Sequence, residues 1–117
     1  MKKNYLLFIA LLVTSFTMAQ APWVNEIHYD NTGGDVDEGV EIAGVAGTDL
    51  SCFALMLYNG SDDELYGNGN DSIVLSGTID NEGCGFGAVW LGLPANGLQN
   101  GSPDGIGLYN HCTGTVV

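Results

Sequence analysis

Six carboxylates crowd the stretch from Glu26 to Glu41, namely Glu26, Asp30, Asp35, Asp37, Glu38 and Glu41, with Asn31 among them. Carboxylate and amide oxygens are the donors a hard cation takes. Calcium binds about six to eight of them, and outside a cell millimolar affinity is enough. Glu26, Asp30, Asp35, Asp37 and Glu41 are the expected calcium ligands. The spacing is not that of an EF-hand, which alternates its ligands and ends on a glutamate. The other reading of the same residues is a solvated acidic loop capped by Asx turns. A second oxygen-rich run, Gly67-Asn68-Gly69-Asn70-Asp71-Ser72-Ile73, matches most of the repeat of calcium-binding β-rolls. Such rolls share each ion between stacked turns, so a single copy reads better as a polar turn before a strand.

Catalytic chemistry is not expected. His28 and His111 could act as bases, but Ser51, Ser61, Ser72, Ser76 and Ser102 have no nucleophile-elbow context. Carboxylates this abundant form pairs by chance, whereas glycoside hydrolysis needs two at a set separation in a cleft. No lysine follows Lys3 to complete a phosphate-binding loop. Trp90 or Tyr66 could stack on a sugar ring, although the alternation of the aromatics favours core and rim positions for most of them. Asp71-Ser72-Ile73 also resembles an acceptor for bacterial periplasmic O-glycosylation, a three-residue match of little specificity.

The chain begins with Lys2 and Lys3, an apolar run from Tyr5 to Phe16, and small residues at Thr17 and Ala19. That order is a secretory signal peptide over residues 1–19, cut after Ala19. The run is shorter than the roughly 20 residues that span a bilayer. The mature chain is then residues 20–117, 98 residues (117 less 19), destined for secretion or the cell surface. Losing the two lysines takes the net charge from −12 to −14 and leaves no Lys or Arg at all. Phosphate-driven nucleic-acid binding, which releases counterions through Lys and Arg, is therefore excluded for this domain. Anionic surfaces and acidic polysaccharides are poor partners for the same reason.

Export to an oxidising compartment means that cysteines pair, and Cys52, Cys84 and Cys112 leave one over. If Phe53–Tyr58 and Ser72–Ile79 pair antiparallel, Cys52 lies near Cys84, the expected bridge. Cys112 would then await a partner beyond Val117, and a zinc site, with only His111-Cys112 close together, is not expected.

The positioning elements are strands. All eighteen glycines lie in the mature chain, and no stretch there sustains helical apolar spacing. Short runs at Val24–Tyr29, Val40–Ala43, Phe53–Tyr58, Ser72–Ile79, Phe86–Leu93 and Gly105–Tyr109, with Thr115–Val117 opening another, are separated by Asn/Asp/Gly turns. This pattern predicts one all-β sandwich or barrel domain. The last run stops mid-hairpin, so a chain continuing past Val117 is expected, with self-association of this piece through its open edge.

VNEIHYDNTGGDVDEGVEIAGVAGTDLS (Val24–Ser51), FALMLYNG (Phe53–Gly60) and LQNGSPDGIGLYN (Leu98–Asn110) together resemble bacterial lamin-tail domains, over about Pro22 to the last residue. The resemblance implies an immunoglobulin-like β-sandwich with further strands after Val117. It also implies an accessory module of secreted or surface proteins, often beside nuclease, phosphatase-like or sorting domains. Gly39 departs from the pattern, because the family usually has an aromatic there, and this puts the packing of that strand in question. The expected function is a non-catalytic extracellular binding, adhesion or spacer module that calcium could stabilise, with a protein or glycan as partner. The alternatives are the N-terminal part of an exported nuclease or phosphatase, and a carbohydrate-binding sandwich.

Overall fold

A computed structural model describes residues 20–66 and 72–117. Residues 1–19, expected from the sequence to be a signal peptide, lie outside the described residues, as do 67–71 of the glycine- and asparagine-rich run, including Asp71 of the glycosylation-like triplet.

Among the described residues eight strands form in chain order: β1 (Trp23–His28), β2 (Gly39–Val45), β3 (Phe53–Asn59), β4 (Glu64–Leu65), β5 (Ile73–Val74), β6 (Phe86–Gly92), β7 (Gly105–Asn110) and β8 (Thr115–Val116). One sheet has the order β1-β2-β6; the other runs β4-β3-β7-β8, with β5 also paired to β3. Every pairing is antiparallel. The two sheets pack as a β-sandwich. Six of the seven expected runs appear close to their expected bounds, while Ser72–Ile79 shrinks to Ile73–Val74. Thr78 of that run instead makes an isolated bridge to Asp49. The only helical element among the described residues is a 3-10 turn at Leu50–Cys52, where Asp49 accepts from the Ser51 amide at 2.9 Å. The Ser51 amide and hydroxyl hold the Asp49 carboxyl below its usual range.

Alternation decides which side chains meet between the sheets. Val40 and Ile42 of β2 face Leu55 and Leu57 of β3 and Leu108 of β7 in one cluster, closed by Leu50, Leu75, Ile79 and Leu98 from the connections. Fully burying each aliphatic side chain contributes about 1.5–3 kcal/mol, so most of the driving force for this fold sits in residues from β2, β3 and the links between sheets. Among the described residues no helix is long and apolar enough to cross a membrane.

The disulfide corrects the expected pairing. Cys52 is bonded to Cys112, not to Cys84, with a Cα–Cα distance of 5.4 Å, and Cys84 is free and exposed. The expected antiparallel contact between β3 and the 73–74 run does form, pairing Ala54 with Val74. That pairing ends there, because Leu75 donates to the Phe53 carbonyl and the chain then leaves β3 for the opposite sheet. Cys84 is carried into the tight turn before β6, in a left-handed conformation (φ 54°). On the other flank of β3, β7 pairs Phe53 with Asn110, and the His111 amide donates to the Cys52 carbonyl at 2.9 Å. This register sets Cys112 beside Cys52.

Gly39 is explained by close approach. The indole of Trp90, on the neighbouring β6, lies across it, and a Cβ at position 39 would fall 2.6 Å from Trp90 Cε2. Strand β2 itself is fully formed and mostly buried.

Candidate functional site

The carboxylates expected to hold calcium divide between two places. Glu26 and Glu41 are cross-strand partners in β1 and β2, next to a register shift between Val24 and Glu26, and Asn25 Nδ2 donates to Glu41 Oε1 at 2.6 Å. Asp30, Asp35 and Asp37 lie in the β1–β2 connection. There Asp35 Oδ1 accepts from the Asn31 amide at 3.1 Å, while its Oδ2 accepts from Asn100 Nδ2 at 3.4 Å. Asn31 Oδ1 in turn accepts from the Val36 amide at 2.9 Å, which closes the loop as a local turn. Among the described residues no three His, Cys, Asp or Glu side chains are grouped to hold a metal ion. Glu26 and Glu41 thus sit on the sheet, and Asp30, Asp35 and Asp37 in the connection beside it.

Glu38, at the threshold of β2, behaves differently from its neighbours. It is buried to 1% exposure, and its Oε2 accepts from the Gly97 amide at 2.6 Å and the Leu98 amide at 3.4 Å. Its carbonyl accepts from Leu93 at 2.8 Å. Oε1 has no partner. Glu38 thus clasps the turn after β6 from beneath. Sequence reasoning grouped it with the loop ligands; the one signal that could have set it apart is the Pro94-Ala95-Asn96-Gly97 turn, whose following amides need an acceptor.

The clasped loop forms one wall of a groove of about 370 Å³ between the β1 end of the first sheet and β7 of the second. Ile27, Tyr29, Tyr66 and Ile106 give it apolar surface, while Asn100 and Asp104 give it polar groups. The parts are tied down. Tyr66 Oη accepts from the Gln99 amide at 3.0 Å, and Asp104 Oδ1 accepts from the Gly60 amide at 3.2 Å. Partial burial, with the charges of Asp104 and Glu38 nearby and against the Gln99 hydrogen bond, holds the Tyr66 phenol above its usual range. It stays neutral and able to hydrogen-bond. A second hollow, of about 320 Å³, adjoins it at Asp35, Asn96 and Asn100.

Neither histidine reaches this groove. His28 Nε2 is 3.1 Å from Asn31 Nδ2, and His111 Nε2 meets the Ser51 carbonyl at 2.9 Å. Neither is paired with a serine hydroxyl. Tyr66, one of the two residues expected to be able to stack on a sugar, lines the groove; Trp90, the other, lies on the outer face of the first sheet. Comparison with family models, with curated proteins and with solved structures finds no match.

Proposed function

We propose that this chain is a non-catalytic binding module of a larger secreted or surface protein, and that the groove between β1 and β7 holds its ligand. The observation that carries the reading is the groove itself: tyrosine and isoleucine walls beside Asn100 and Asp104, held by backbone-anchored side chains. Concave sites of a few hundred Å³ with apolar walls and a few fixed polar groups are the usual form of small-ligand and side-chain recognition. Resemblance to lamin-tail domains supports an extracellular accessory role and an immunoglobulin-like variant of the sandwich. The lack of Lys and Arg after Lys3 favours uncharged or cationic ligands.

The test is a thermal-shift screen of the full chain, exported to an oxidising compartment, against glycans and peptides. A ligand bound by the native state alone raises the unfolding midpoint with its concentration. The expected result is a hit whose effect is lost in both Tyr29→Ala and Asp104→Ala. Hits that survive both substitutions would place binding elsewhere and overturn the groove as the site.

A further inference from the structure

The outer face of the β1-β2-β6 sheet carries an arrangement that the groove does not need. Register and alternation fix its rows: Trp23, Ala43 and Ala88 in one; Glu26, Glu41 and Trp90 in the next; His28, Gly39 and Gly92 in a third; Val45 beside Phe86 at the end. Trp23 and Phe86 have ring centroids 6.4 Å apart at 58°. Phe86 and Trp90 remain 44% and 46% exposed. The Trp90 indole crosses Gly39, where a side chain would collide with it, and the residue still keeps nearly half of its surface exposed. On β6 only Ala88 separates Phe86 from Trp90 on this face, and the residues facing these three on β2 are Val45, Ala43 and Glu41. A large exposed apolar patch on a soluble domain marks an interaction surface.

Charge selects the partner. The mature chain has no Lys or Arg, and the polar groups beside Trp90 are Glu41, held by Asn25, and its neighbour Glu26. Two carboxylates set directly opposite repel one another and would repel an anionic ligand. They are also strong acceptors for hydroxyl donors. A surface of flat ring faces flanked by carboxylate acceptors suits a molecule with apolar C–H faces and many hydroxyls but no negative charge. We propose that this face binds a neutral polysaccharide chain laid across β6 and β2, with Trp90 and Phe86 stacking on sugar rings and Glu41 accepting from their hydroxyls. The inference rests on reading the chain as an extracellular binding module, but it uses a surface separate from the groove.

Co-sedimentation of the full exported chain with insoluble cellulose and chitin tests it, with alginate gel as the anionic control. Binding to a neutral polysaccharide but not to alginate is expected. Trp90→Ala and Phe86→Ala should each weaken it by about five- to tenfold, as expected for the loss of a stacked ring. Tyr29→Ala should leave it unchanged, and an unshifted thermal midpoint shows that each variant is folded. Loss of binding in Tyr29→Ala with retention in Trp90→Ala would overturn this inference while leaving the groove reading intact. No binding to either neutral polymer would overturn it too. So would light scattering that shows a dimer which Trp90→Ala converts to a monomer, because the face would then be covered by a second copy.

Discussion

Glu38 takes its side-chain hydrogen bonds from main-chain amides, in a sequence with no Lys or Arg after Lys3. A buried carboxylate without a cation is costly unless its hydrogen bonds are made, and here one oxygen makes them while the other does not. The two halves of that arrangement predict different mutational outcomes. Glu38→Ala strands the buried Leu98 amide and should lower stability by about 1–3 kcal/mol in denaturant unfolding. Gly97 suffers less, since its amide also donates to the Pro94 carbonyl. Glu38→Gln keeps an acceptor in place and removes the unpaired charge, so it should cost clearly less than alanine. Equal losses in the two variants would show that the charge, rather than the acceptor, holds the loop.

Among the elements, β3 is the hub, bordered by β7 on one side and by β4 and β5 on the other. The Cys52–Cys112 bridge fastens the end of the β3–β7 pair across a sequence separation of 60. Closing a loop of that length stabilises by about 4 kcal/mol in the chain-entropy model. Cys52→Ser should therefore lose a large part of that value in equilibrium unfolding, whereas Cys84→Ser, on an exposed turn, should change stability by less than about 0.5 kcal/mol. Non-reducing peptide mapping would check the pairing directly. Strand positions were legible from the sequence because Val40, Ile42, Phe53, Leu55 and Leu57 alternate and Asn/Gly turns punctuate them. The bridge was misread because period-2 patterning says which strands exist but not where a pairing stops. Ser72–Ile79 looks like one strand, yet only Ile73 and Val74 stay on β3. The two-residue β4 and the burial of Glu38 were not legible at all, since both depend on contacts between residues far apart in sequence. The acidic loop was visible as a cluster, but the turn centred on Asn31 and the reach of Asn100 to Asp35, which divide it, were not.

For the molecule as a whole, a net charge of −12, with no Lys or Arg after Lys3, means self-repulsion relieved by spacing and by ions in solution. Added sodium chloride should raise the unfolding midpoint steadily as the Debye length falls from about 30 Å at 0.01 M to about 8 Å at physiological strength. Calcium at matched ionic strength should act in the same way on the wild type and on Asp35→Ala with Asp37→Ala, because among the described residues no three His, Cys, Asp or Glu side chains are grouped to hold the ion. A calcium-specific rise abolished by the double substitution would instead restore a loop metal site. Binding surfaces on this domain have to be read against that uniform negative field, which turns away anions before any contact forms.

The two tryptophans of the chain, Trp23 and Trp90, both stand on the outer face of the β1-β2-β6 sheet. The intrinsic ultraviolet emission of this protein is therefore a one-sided lamp. Quenchers and spectral shifts will report what happens on that sheet and remain nearly blind to the tyrosine-lined groove on the other flank, so the two surfaces can be followed separately without attaching any dye.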